Sequence, residues 1–279
     1  MVAITRYIET LYLVFKHTKN PISVIFGYFK NKKGTIILKN GLELPFDRGS
    51  ITLPSLIIFD KGWTIQKHKD GFLFKKEDIK LIQPNIGVLG EDMEKLYHVF
   101  DYKNATVLDV GGYFGETAVF SKKWGAKKVI IYEPVKYHLD FIKKNIKLNN
   151  VRAIIKEFAV SDKTGKEFWQ IKETDLGSAG FGLKRKGTKK IQIKTKSWKA
   201  VLEDAIRSKV NIVKIDCEGP EKYLVDVEDD ILEKIKNWII EAHSKETAQN
   251  LKVKFKRLGF NLKIHKMNSD VSILYFFKA

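Results

Sequence analysis

The spacing of apolar residues changes twice along the chain. Ile4, Ile8, Leu11 and Phe15 recur at helical intervals, predicting a helix over 3–18; Asn20-Pro21 then punctuates the chain before a second short helix over 21–30. From Gly34 to about Ile82 the period shortens to that of strands. Thr35–Leu38 and Leu42–Phe46 flank Asn40-Gly41, while Trp63–Lys67 and Phe72–Lys75 flank Asp70-Gly71. Both dipeptides predict hairpins with two-residue turns.

After about Asp101, strand and helix periods alternate. Strands are expected over 107–110, 128–132, from Ala153 to near Glu157-Phe158-Ala159-Val160, over 211–216 and over 238–241. Helices are expected over 116–124, 135–148 and 244–258. A hairpin, Lys166–Ile171 with Lys190–Thr195, interrupts the alternation. Such alternation predicts a parallel sheet covered by helices on both faces. Only Lys266–Asp270 separates the final strands, 261–264 and 272–277, too little chain for a crossover helix, so the last strand should run antiparallel. The expected fold class is α/β, a Rossmann-like, mostly parallel sheet over 101–279. An accessory region over 1–100, helical and then antiparallel β, precedes it.

Composition narrows the picture. The longest apolar runs, such as Leu11–Phe15 and Leu56–Phe59, fall far short of the roughly 18 residues that argue for a membrane span. No segment resembles a signal-peptide cleavage site. A single cysteine, Cys217, excludes an intramolecular disulfide and any zinc site of paired thiolates, and a reducing, cytoplasmic setting fits it best. The net charge of +18 invites a nucleic-acid partner, but only six of the 51 basic residues are Arg. An anionic membrane surface suits diffuse lysine charge equally well. The apolar face of the first helix is expected to pack against the body of the protein, with peripheral membrane contact as its alternative. The sequence leaves oligomeric state open.

Candidate chemistry gathers at predicted strand ends. Asp109-Val110-Gly111-Gly112-Tyr113-Phe114-Gly115 joins the end of a strand to the start of a helix, where glycines permit a tight turn and close ligand approach. Its spacing is D-x-G-x-x-x-G, whereas a dinucleotide turn would need glycine at Tyr113 and Glu116. Asp109 and Glu116 also put carboxylates where a pyrophosphate would sit, which favours a ligand carrying positive charge. Glu133, followed by Pro134, ends the second strand and is placed to hold ribose hydroxyls. Glu157 and Phe158 suit an adenine ring. The fourth strand delivers Lys214 and Asp216 on one face and runs into Glu218 and Glu221; the fifth delivers Glu241 and His243. Open α/β sheets bind ligands along that carboxyl edge.

Val107-Leu108-Asp109-Val110-Gly111, Glu133-Pro134, Lys214-Ile215-Asp216-Cys217-Glu218-Gly219 with Glu221, and Glu241-Ala242-His243 together resemble the FkbM-type methyltransferases over residues 100–279. The resemblance implies a Rossmann-like methyltransferase sheet and methyl transfer from S-adenosylmethionine to a hydroxyl oxygen of a sugar or other small metabolite. The sulfonium and ammonium groups of that cofactor match the carboxylates at Asp109 and Glu116. Where the family usually has Asn, this chain has Tyr113. Cofactor contacts are expected from Asp109, Gly111, Gly112, Tyr113, Gly115, Glu133, Pro134, Glu157, Phe158 and Asp216.

A hydroxyl is a poor nucleophile until its proton is removed, so a base is wanted near the methyl group. His243 is the first choice, oriented by Glu241 or Asp216, with Glu241 and Glu218 as further catalytic candidates. A divalent metal, magnesium or manganese, held by Asp216, Glu218, Glu241 and His243, is an alternative and is not expected. RNA is the alternative acceptor, suggested by the lysine-rich loop from Gly182 to Lys190.

Overall fold

The computed structural model describes residues 2–46, 56–85, 92–171 and 189–278, and divides the chain into two compact units, Met1–Asp92 and Met93–Ala279. The basic loop at 182–188 lies outside the described residues.

In the first unit, α1 (Val2–His17) and α2 (Pro21–Phe29) precede the hairpin of β1 (Gly34–Ile37) and β2 (Glu43–Phe46). Pro21 opens α2, where its missing N–H costs nothing. The turn before β2 is longer than the Asn40-Gly41 pair suggests. Leu38 N–H donates to Leu42 O and Gly41 N–H to Leu38 O, so Lys39, Asn40 and Gly41 form a three-residue loop. Gly41, at φ 88°, takes the left-handed position such a loop requires. After a single helical turn, α3 (Ile57–Asp60), come β3 (Thr64–His68), β4 (Gly71–Lys76) and β5 (Ile79–Gln83), an antiparallel meander. His68 pairs with Gly71, so the tight turn is Lys69-Asp70, one residue earlier than the sequence suggests. Ile36, Leu44, Ile65, Phe74 and Leu81 are buried.

The second unit begins with α4 (Met93–Tyr97) and continues as β6 (Thr106–Val110), α5 (Glu116–Lys123), β7 (Lys128–Tyr132), α6 (Lys136–Leu148) and β8 (Ala153–Lys156). Next come β9 (Ala159–Ser161), the hairpin of β10 (Gly165–Ile171) and β11 (Lys189–Ser197), α7 (Trp198–Arg207) and β12 (Ile212–Ile215). A 3-10 helix (Pro220–Asp226), α8 (Asp229–Glu233), β13 (Asn237–Ala242), α9 (Lys245–Arg257), β14 (Asn261–Lys266) and β15 (Ser272–Phe277) complete it. The order β14-β15-β13-β12-β6-β7-β8 is a seven-stranded, mostly parallel sheet. As expected, the last strand is antiparallel, and β15 is so to both its neighbours. Sequence order reverses between β6 and β12, the switch point at which such sheets open a ligand crevice.

Strand alternation sorts the core into two layers. Leu108, Val110, Val213, Ile215, Trp238 and Ile240 pack with α7 and α9 on one face. Val107, Val129, Ile131, Ile212 and Ile239 pack with α4, α5 and α6 on the other. Ser244 caps α9, its Oγ accepting the Thr247 N–H at 3.0 Å, and Gly259 at φ 77° terminates it.

The third strand ends sooner than the sequence suggests. β8 stops at Lys156, and Ala159–Ser161 pairs instead with β11 in a separate three-stranded sheet. The apolar run had concealed a change of sheet at Glu157-Phe158.

Candidate active site

The parity that builds the core also builds the site. Asp109 stands in register with Lys214, Ile131 and, through Lys214, Ile239. Asp109, Lys214 and Glu241 therefore share the sheet face of Val107, Ile212 and Ile239, polar exceptions in an apolar layer. Glu133, two residues beyond Ile131, continues the row.

Asp109 is fully buried. Its carboxylate lies 3.1 Å from Lys214 Nζ in a buried ion pair, though neither oxygen accepts a well-formed hydrogen bond; Lys214 also donates to Gly111 O at 3.0 Å. Burial works against the Lys214 charge. The carboxylates of Asp109 and Asp216, with Glu241 beyond, outweigh it and hold the ammonium above its ordinary pKa. Tyr97 of α4 closes this row, its hydroxyl donating to Glu241 Oε2 at 3.4 Å.

The glycine turn is fixed by its surroundings. Gly111 adopts φ 85°, and a Cβ there would fall 1.7 Å from Asp216 O, so β6 and β12 approach too closely for any side chain. Gly112 rests against Ile131. Tyr113 has φ 43°, a left-handed conformation that costs an aromatic residue on the order of 1 kcal/mol or more. Glu133 offsets that strain, its Oε2 accepting the Tyr113 N–H at 3.0 Å. The Glu133 Oε1 accepts Val135 N–H at 2.9 Å and meets His138 Nδ1 at 3.1 Å. Glu133 is thus a brace for the turn as well as an acid at a strand tip. The Tyr113 ring stacks on Phe114, with centroids 3.9 Å apart.

Gly115, at φ 88°, leads into α5, and Glu116 occupies the helix's first position. Burial raises the Glu116 carboxyl to a pKa of about 7. Glu157 and Phe158 part company beyond β8. Glu157 points into solvent and pairs with Lys143 at 3.4 Å, whereas Phe158 packs on the core with Lys196 above its ring.

The second half of the site centres on His243. Its Nδ1 lies 3.1 Å from Glu221 Oε1, which also accepts the His243 backbone N–H at 3.1 Å. The orienting acid is therefore Glu221, not Glu241 or Asp216. Glu221 is wholly buried, and its other oxygen accepts Gly219 N–H at 2.7 Å. Asp216, Glu241 and Glu218 surround the opposite nitrogen, Nε2, at 3.6, 3.7 and 3.9 Å. Burial lowers the His243 pKa, but the Glu221 hydrogen bond and the charges of Glu221, Asp216 and Glu218 overcome it and raise it to about 9. One ligand atom each from Asp216, Glu241 and His243 lies within 4.8 Å of the others, a donor set suited to magnesium or manganese.

The structure thus gathers Asp109, Gly111, Gly112, Tyr113, Glu116, Glu133, Asp216, Glu218, Glu221, Glu241 and His243 along the carboxyl edge. Sequence reasoning missed Tyr97 and His138. His138 carried a signal, one turn into the helix after Glu133-Pro134; Tyr97 sits in a stretch without a motif.

Comparison with known proteins gives a family match. The model of the methyltransferase FkbM domain matches residues 109–262, which include each site residue just named except Tyr97. No curated protein matches the chain. Among solved structures the chain is similar to the ribosomal protein L11 methylase of Lactobacillus delbrueckii subsp. bulgaricus, at 12% identity over 67% of this chain and 77% of that one, with a TM-score of 0.38. It is also similar to precorrin-6y C5,15-methyltransferase of Geobacter metallireducens GS-15, at 12% identity over 63% and 81%, with a TM-score of 0.38. An rRNA methylase of Streptococcus thermophilus shows 12% identity over 66% and 91%, with a TM-score of 0.40. With its glycine turn, strand-tip acids and paired Glu221 and His243 inside the matched segment, the chain belongs to the FkbM methyltransferase domain family.

Proposed function

We propose that this protein transfers a methyl group from S-adenosylmethionine to a hydroxyl oxygen of a sugar or other small metabolite. The observation that carries the reading is Asp109, a buried carboxylate at the switch point with neither oxygen in a well-formed hydrogen bond. Around it Glu116, Glu133, Asp216, Glu218, Glu221 and Glu241 face the cations Lys214 and His243, an excess of negative charge that suits a cationic ligand and opposes a phosphate. S-Adenosylmethionine supplies, when bound, a methyl group made electrophilic by its sulfonium. The residues present fit it. Asp109 and the turn Gly111-Gly112-Tyr113-Gly115 would hold the amino-acid end, with Asp216 beside them. Glu133 and Pro134 would hold the ribose.

For the acceptor, His243 is the base this reading requires. Glu221 fixes its Nδ1, so Nε2 is the nitrogen left to take a hydroxyl proton. At neutral pH Nε2 carries its own proton, because the surrounding carboxylates hold the imidazolium. It is therefore expected to accept a proton more readily as pH rises toward about 9. Asp216 and Glu241 stabilise the positive charge that follows transfer.

The acceptor class is testable with methyl-labelled S-adenosylmethionine and two pools, hydroxylated small metabolites and total RNA. Label is expected in the small-molecule pool as base-stable ether. Label confined to RNA would overturn the acceptor assignment.

A further inference from the structure

Outside the site, the largest unexplained feature is the outer face of the first two helices. Each has two apolar sides. Leu13 and Val14 of α1 and Val24 of α2 are buried. On its other side α1 exposes Ile8, Tyr12 and Phe15, at 60, 57 and 56%. α2 repeats the arrangement with Ile22, Phe26 and Phe29, at 77, 59 and 61%. Both triads follow i, i+4, i+7 spacing, so each forms one stripe along its helix. The other large apolar residues exposed among the described residues, Leu148, Ile154, Phe168, Val253 and Ile264, are scattered over separate elements and form no such stripe.

Charge indicates what meets these stripes. Through Gly34 the only acidic residue is Glu9. Lys16 and His17 are bound to Asp60, at 2.9 and 2.6 Å. Lys19, Lys30, Lys32 and Lys33 are exposed, the last three in the turn that directly follows Phe29. Lys30 Nζ lies 5.6 Å from the Phe26 ring, so the aromatic stripe and the lysines meet. Among the described residues no helix is long and apolar enough to cross a membrane. A second copy of this chain also carries a net charge of +18, so like charge opposes its approach to the lysines.

We infer that α1 and α2 form a docking surface for an anionic lipid bilayer, lying in the interface with the stripes among the acyl chains and the lysines on the headgroups. This site does not depend on the proposed methyl transfer, and its readout is binding alone.

The test is co-sedimentation of the full chain with phosphatidylcholine vesicles and with vesicles in which a third of the lipid is phosphatidylserine. The protein is expected to pellet with the anionic vesicles, stay in solution with the neutral ones, and be released as salt rises. The triple change Phe15→Ser, Phe26→Ser, Phe29→Ser is expected to lower the bound fraction at least tenfold without altering circular dichroism. A second variant, Lys30→Glu, Lys32→Glu, Lys33→Glu, changes only exposed side chains and should lose binding alike. Wild-type protein that stays in solution with anionic vesicles would overturn the inference, as would a lysine variant that still pellets. So would a dimer in light scattering that the phenylalanine changes dissociate, since the stripes would then belong to a second copy.

Discussion

Gly111→Ala should be the most damaging single-methyl change in the second unit. The new Cβ would fall 1.7 Å from Asp216 O and 2.7 Å from Asp216 C, both backbone atoms at the end of the adjacent strand. No rotamer relieves that clash; the ends of β6 and β12 must part. Parting them strains the Gly111 N–H bond to Tyr132 O and the Lys214 bond to Gly111 O, and so loosens the Asp109 pair. The left-handed φ adds about 1–2 kcal/mol of its own. A loss of about 4 kcal/mol or more is expected, which lies in the tail reserved for such mechanisms. Gly219→Ala separates the two contributions. Gly219 also has positive φ, 126°, but a Cβ there meets nothing within 4 Å, so only the backbone cost should appear. Thermal or denaturant unfolding of the two variants checks the difference. Equal losses would mean that the close approach of the strands is not what fixes the turn.

The second large effect concerns His243. Its folded pKa, about 9, lies above the ordinary 6.5, so its pairing favours the folded state. That contribution is complete below pH 6.5, declines as pH rises, and is gone above about 9. Its size is on the order of 3 kcal/mol from the shift. Glu221 has the opposite sign. Burial alone would raise its pKa, but His243 holds it below the usual value, so its share is present above about 4.5 and lost as pH falls through the lowered value. Wild-type protein should therefore lose stability between pH 7 and 9, and His243→Gln should remove most of that slope. The same variant should lower kcat by roughly 10²–10⁴ if Nε2 is the base. A variant that keeps both the slope and the rate would remove His243 from the chemistry and from the charge network.

How much of this was legible in the sequence depended on range. The glycine turn, Glu133 and the strand-end acids could be read because each lies within a local pattern, a period-two strand ending in a turn residue. The single antiparallel strand followed from the short gap at Lys266–Asp270. Contacts between distant segments could not be read. Glu221 and His243 are 22 residues apart, and only the placement of the 3-10 helix beside β13 joins them. Glu157 looked like a strand-tip acid because the apolar run continues through Phe158 and Val160, but the chain changes sheet there and turns Glu157 outward. The helix α7 also escaped notice. It begins at Trp198 directly after β11, with Ser197 ending the strand and capping the helix, its Oγ accepting Ala200 N–H at 3.3 Å. No loop residues announce that junction. The first hairpin loop is one residue longer than Asn40-Gly41 and the second turn sits one residue before Asp70-Gly71, because these dipeptides alone decide neither loop length nor register.

Calorimetric titration of the full chain with S-adenosylhomocysteine, beside an Asp109→Asn variant, tests the central claim most directly. Micromolar binding by the wild type, weakened tenfold or more in a variant that still folds, is the result expected of a buried carboxylate that meets the ligand's ammonium group at the switch point. Absence of binding to the folded wild-type protein would contradict the assignment of this edge to S-adenosylmethionine.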